Sequence, residues 1–479
     1  MPRDYRKAES GSSLQEASRD PKTSKLQKVI EATQSVHQIS FSHLPLDFNW
    51  NSEPHALSPL PDALPPEPTF QQAAATEFIS ECLRDGLHGT KIYPAVEKMQ
   101  RYMSALNSFG IKRAIVGIYS GEQNVVDKTV KELLKNLRDS LPSLTPLVLC
   151  LCTPEALQWT ARCKEIHPGL EAYIFMGSAP SRRLVQEWDL DFILRQLSHS
   201  VAEAVRLGIP VTAATEHATQ TPPDDLRQII QVQVEQGARG FVLTDTIGIA
   251  RPRGVYRIVR FTKAVLDKLH VGDSKVEWHG HRDTGNALAN ALMAIAAGAE
   301  RIHVVARGIG ERAGNTALED LALNLATILN EADRPVPWHM PQLLDLLALY
   351  EDIAEVPMPL YGALGKRYNH TTLGIHTDAL LKTRLLSEQA LQADNADVAN
   401  KLQKMARTIY SAVDPYTIGG QWSVGISPWS GRSSVRLAYL AYGGKPEELS
   451  VETIDRILAR AQEVGRELEP LELELLFQQ

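Results

Sequence analysis

No run of eighteen apolar residues occurs in the chain, so no stretch reads as a membrane-spanning helix. Its four cysteines, Cys82, Cys150, Cys152 and Cys163, form no Cys-x-x-Cys pair, and two of them sit inside an apolar run. That excludes a cysteine metal ribbon and a disulfide scaffold, and fits buried, reduced thiols. Basic residues form no stripe: 50 Lys and Arg are mixed with 57 Asp and Glu, for a net charge of −7. No nucleic-acid partner is expected. The N-terminus lacks the apolar centre of a secretory signal, and Asp4, Glu9, Glu16 and Asp20 speak against a transit peptide. A cytoplasmic protein is expected. A dinucleotide-type glycine fingerprint is also missing, which argues against a doubly wound sheet.

What is present is alternation. The 479 residues can hold one barrel of about 250 residues with appendages. Residues 1–69 are polar and then proline-rich, and read as an arm or strap with a short helix near Lys25–Ser35. Over 70–333, strand patterns lie at Glu77–Leu83, Arg113–Tyr119, Pro146–Cys152, Glu171–Met176, Pro210–Thr215, Gly240–Asp245, Lys275–His281 and Arg301–Ala306, each followed by a helical pattern. Eight such units predict a (β/α)8 TIM barrel. Residues 334–446 read as mainly helical subdomains. Residues 447–479 read as one charged helix, Glu447–Glu467, with a frayed tail from Leu471.

Active sites of such barrels gather at the C-terminal ends of the strands. Useful side chains recur there: Arg84, Asp85 and His88 after the first strand pattern, Glu216 and His217 after the fifth, Asp245 and Thr246 after the sixth. The stretch Glu277–Asn315 adds His279 and His281, then Glu311, Arg312 and Asn315 in a glycine-rich loop. On a strand, positions i and i+2 share a face, so His279 and His281 can close on one metal ion. A lone His-x-His also fits ordinary packed or exposed histidines. Five strand ends converging on one rim weigh against that simpler reading.

Taken together, Arg84-Asp85-Gly86, Glu216, Asp245-Thr246-x-Gly248, His279-x-His281-x-Asp283-x-Gly285 and Gly308-x-Gly310-Glu311-Arg312-x-Gly314-Asn315 resemble the 2-isopropylmalate synthase and homocitrate synthase family. That family belongs to a metal-dependent barrel superfamily that also holds 3-hydroxy-3-methylglutaryl-CoA lyase. Gly374-Ile375-His376 and Tyr410-x-x-x-Asp414-Pro415 are similar to the synthases' linker subdomains. The resemblance implies an acyltransferase of amino-acid biosynthesis that condenses acetyl-CoA with a 2-oxo acid and hydrolyses the thioester. It implies a divalent metal (Mg, Mn, Co or Zn) on Asp85, His279 and His281, with Asn315 in or beside the ligand shell. Arg84 would stabilise the alkoxide, Glu311 would orient Arg84, and Thr246 would bind the substrate carboxylate. Glu216, His376 and Tyr410 are the acid–base candidates. A homodimer with shared active sites is implied as well.

The chain also departs from the family pattern. His88 stands where the synthases usually have Gln, and resembles the basic His of retro-aldolases in the superfamily. Arg282 replaces the usual Asn. Thr212 occupies a position where homocitrate synthases would carry Arg, so 2-oxoglutarate is not favoured as substrate. Arg182 and Arg183 are candidates for an acidic substrate or CoA phosphates, or are solvated loop residues. After Gly444 one helical segment is read, so leucine feedback through a regulatory domain is not expected. The competing readings are a carbon–carbon lyase or aldolase on the same barrel, and a non-catalytic scaffold.

Overall fold

In the computed structural model, which describes residues 70–478, eight strands pair in chain order and close into a barrel. They are β1 (Glu77–Ser80), β2 (Arg113–Ile118), β3 (Thr145–Leu151), β4 (Glu171–Gly177), β5 (Val211–Glu216), β6 (Gly240–Asp245), β7 (Lys275–Gly280) and β8 (Arg301–Val304). Every pairing is parallel, and β1 meets β8 with Ile79 beside His303. This is the expected (β/α)8 barrel; the closed sheet excludes the doubly wound alternative. The expected N-terminal arm lies outside the described residues.

The helices start where the sequence supplies start signals. Thr153 caps Pro154–Ile166, accepting a hydrogen bond from the Ala156 amide, and Pro occupies the first turn. Asn124 and Asp189 cap Val125–Ser140 and Leu190–Arg206 in the same way. Between β4 and the Leu190–Arg206 helix, an extra short helix, Pro180–Gln186, carries Arg182 and Arg183. It is too short to show a clear 3.6-residue pattern.

Strand alternation fixes the core. One face of each strand meets the helices; Trp278 of β7 is fully buried there. The other face fills the barrel. Ile79, Ile115, Leu147, Tyr173, Ala214 and Val242, from β1 to β6, form an apolar interior cluster. On β7 and β8 that interior face instead carries Glu277 and His279, and Arg301 and His303. Glu277 and His303 are buried all the same.

The described chain forms two compact units, residues 70–365 and 366–478. The expected break at 333/334 falls inside the first. Helix Leu343–Ala354 belongs to the barrel unit: its Tyr350 hydroxyl donates to Gly86 O (2.7 Å), and its Glu351 accepts from Arg307 (2.7 Å). The second unit holds helices Gly374–Gln392, Ala396–Thr408, Arg432–Ala441, Val451–Val464 and Pro470–Gln478. The segment expected to be a frayed tail is thus mostly helical. Its Leu473 is buried, and Leu476 and Phe477 pack on a core that includes Ile454 and Ile457, which is what orders it.

Candidate active site

The site begins at the end of β1. Chain direction reverses through the turn Asp85–Leu87, with Arg84 in front of it. A Cβ at Gly86 would stand 2.1 Å from the Tyr350 hydroxyl oxygen, so only glycine fits between Arg84-Asp85 and that support. Asp85 is buried and accepts from the Glu311 amide (3.0 Å), which ties the β1 loop to the β8 loop. Arg84 turns to Glu81: Nε and Nη2 lie 2.9 and 2.7 Å from Oε2. Its other ion pair among the described residues is with Asp85, at 3.6 Å. The expected Glu311 partner is therefore corrected. Glu311 instead faces His88, at 3.0 Å, while Glu81 lies three residues before Arg84 and reaches it locally.

The two histidines converge as their spacing predicts. His279 lies on β7; His281 follows the strand end and bridges to Asn315. His279 Nδ1 is 3.2 Å from Glu81 Oε1, and His281 Nδ1 is 3.2 Å from Gly314 O. Each Nδ1 faces an oxygen, which keeps its proton there. In the neutral rings both Nε2 lone pairs then point at one place, and the two atoms are 3.3 Å apart. Asp85 Oδ2 lies 3.7 and 3.8 Å from them. Two imidazole nitrogens and a carboxylate oxygen turned toward one point form a donor set that a single cation can fill. Donors at these separations suit one ion bound at about 2.0–2.2 Å from each. Asn315 adds a second sign: it is buried and its Oδ1 has no hydrogen-bond partner. The residues present fit a divalent metal.

The electrostatics are consistent with this. Burial would raise the Asp85 carboxyl, but the charge of Arg84, helped by the Glu311 amide, holds it below its usual range. Burial pushes His281 down to about 4, so its ring is neutral near pH 7 and able to ligate.

Other expected residues gather nearby on the barrel. Glu216 ends β5, and His217 follows it in a left-handed conformation (φ 60°). A Cβ on Gly177, at the end of β4, would fall 2.7 Å from Glu216 Oε2 and 2.8 Å from Arg182 Cγ. That glycine therefore leaves the space in which Glu216 and Arg182 run side by side. Arg183 pairs with Asp225 at 2.6 Å. Thr246 Oγ1 accepts from the His217 amide (2.7 Å), linking the ends of β5 and β6. His88 also approaches Asp85, at 3.4 Å. In the second unit, His376 and Tyr410 stack on each other, with ring centroids 4.0 Å apart.

Sequence reading missed the layer beneath the histidines. His303 is held between Glu81 (2.8 Å) and Glu277 (3.1 Å). Tyr173 donates to Glu277 (2.5 Å), as does Arg301 (2.8 Å). Burial opposes ionisation of both carboxylates, but their partners win: Arg84, His279 and His303 hold Glu81 well below the usual range, and His303 with Arg301 holds Glu277 at about 2. Burial would lower His303, yet its hydrogen bonds to Glu277 and Glu81 raise it. The available signal was Glu277-x-His279 and Arg301-x-His303, two charged i, i+2 pairs on interior faces.

Residues 75–349, more than half of the chain, match the HMGL-like family. The chain belongs to that family. Among curated proteins, this HMGL-like chain is 27% identical to the homocitrate synthase AksA of Methanocaldococcus jannaschii, over 64% of this chain and 73% of the relative. It is 27% identical to the 2-isopropylmalate synthase of Lactococcus lactis, over 64% of this chain and 59% of the relative. Of the 2-isopropylmalate synthase of Salmonella arizonae it spans 57%, at 24% identity. A hydroxymethylglutaryl-CoA lyase structure from Pseudomonas aeruginosa overlaps 58% of this chain and 92% of its own, at 17% identity and a TM-score of 0.49.

Proposed function

We propose that this protein is a metal-dependent acyltransferase that joins the methyl carbon of acetyl-CoA to the ketone carbon of a 2-oxo acid and then hydrolyses the thioester. The products are a 2-hydroxy-2-substituted dicarboxylate and free CoA. The observation that carries the reading is the convergence of Asp85, His279 and His281 on one point, with Arg84 beside Asp85. The names of the synthase relatives support it.

Asp85, His279, His281 and Asn315 would hold the ion, which when bound supplies Lewis-acid polarisation of the ketone. Arg84 stabilises the negative charge that grows on the ketone oxygen as the carbon–carbon bond forms. Thr246 and Arg182 bind the substrate's acidic groups. Glu216, His376 and Tyr410 are the groups proposed to take the methyl proton and return one to the alkoxide. On the resemblance, His376 and Tyr410 serve a partner's site in a homodimer. Inactive His281→Ala and His376→Ala chains should then regain activity when mixed.

The test is thiol release from acetyl-CoA by the metal-loaded enzyme with a panel of 2-oxo acids. CoA appearing with one or a few of them supports the reading. The lyase reading draws on His88, whose Nδ1 lies 3.4 Å from Asp85 Oδ1 and which would serve as the base. It predicts instead the cleavage of a 3-hydroxyacyl-CoA or 4-hydroxy-2-oxo acid with no dependence on acetyl-CoA.

A further inference from the structure

Beneath the proposed ligands the barrel interior holds a continuous row of buried polar groups, and Glu81 is its junction. Oε2 of Glu81 takes two contacts from the Arg84 guanidinium, at 2.9 and 2.7 Å. Oε1 faces His279 Nδ1 at 3.2 Å and His303 Nδ1 at 2.8 Å. One carboxylate thus touches the residue proposed to stabilise the alkoxide and the back of a histidine proposed to ligate the metal. His303 carries the row on to Glu277, which Tyr173 and Arg301 hold in turn. Glu81 is 1% exposed, so water does not compete for either oxygen.

We infer that Glu81 is a positioning residue that sets Arg84 and His279 together. It holds the His279 proton on Nδ1, which leaves Nε2 bare toward the site, and it fixes the plane of the Arg84 guanidinium. His303, gripped from the far side by Glu277, keeps the Glu81 carboxylate from rotating away. A carboxylate behind a ligating histidine orients the ring and raises its basicity. Here the same carboxylate also orients the cation beside the metal, so loss of Glu81 couples two defects that separate residues would produce one at a time.

The inference rests on the metal-site reading, and its test keeps the two apart. Mn(II) is titrated into metal-stripped wild type and Glu81→Gln, with binding read by electron paramagnetic resonance and folding by circular dichroism and thermal melts. Wild type should bind about one ion per chain. Glu81→Gln, folded, should bind it about 10- to 100-fold more weakly, and at saturating Mn(II) its kcat should remain low because Arg84 is misaligned. If Glu81→Gln does not fold, Glu81→Asp, which keeps the charge but retracts it, should fold and show weakened Mn(II) binding. Unchanged affinity with only a lowered melting temperature, in whichever variant folds, would make Glu81 a packing residue and overturn the inference alone. Absence of Mn(II) binding by wild type would overturn the metal site, and the inference with it.

Discussion

Arg84 illustrates how much depends on one side chain's surroundings. Its planar fork meets Glu81 through two nitrogens while a third faces Asp85. Lysine would keep the charge and lose that geometry. Arg84→Lys should reduce kcat by about 10²-fold, the scale of a lost oxyanion donor, with bound metal unchanged. Near-normal turnover would leave Arg84 a structural residue. At this scale the sequence was legible where chemistry is local. His279 and His281 share a face by period two, and Asp85 follows the strand-end rule. The partner of Arg84 was not legible, since charge complementarity alone cannot choose between Glu81, three residues away, and Glu311 in the adjacent β8 loop. His303 and Glu277 needed the β7–β8 register and the β1 closure to bring them together with Glu81.

At the scale of elements, two loops position the site. In the β8 loop Gly314 has φ +101°, and a Cβ there would stand 2.0 Å from Gly308 O. Its carbonyl receives His281 Nδ1 and the Arg282 amide. Gly314→Ala should therefore destabilise the protein by about 1–3 kcal/mol, the scale of such backbone strain, and weaken metal binding. A melting temperature and Mn(II) affinity equal to wild type would contradict this. The same loop is braced by helix Leu318–Glu331 through Glu319, which accepts from the Arg307 amide at 3.0 Å. Burial raises Glu319 from 4.5 to about 7, with Arg307 pulling the other way. Its folded value lies above its unfolded one, so its stabilisation is complete below about pH 4.5 and is lost as pH rises through 7. The melting temperature of wild type minus that of Glu319→Gln should therefore fall between pH 5 and 8; a constant difference would contradict it. Strand and helix positions in the barrel were readable within a few residues because caps, prolines and apolar runs are local signals. The ordered C-terminal helix Pro470–Gln478 was not, because its order comes from Leu473, Leu476 and Phe477 packing on helix Val451–Val464 and its neighbours.

For the molecule as a whole, the barrel interior holds an apolar cluster drawn from β1–β6 and, directly beneath the histidine pair, a charged layer on β7 and β8. That layer supports the two histidines from below. No helix among the described residues is long and apolar enough to cross a membrane. The central claim is the condensation. It is tested most directly by incubating metal-loaded enzyme with acetyl-CoA carrying carbon-13 in both acetyl carbons and a panel of 2-oxo acids, followed by mass spectrometry. The account predicts free CoA and a 2-hydroxy dicarboxylate that retains both labelled carbons, with both products abolished by chelation and restored by a divalent metal. Product without the label, or equal turnover by the chelated enzyme, would contradict it.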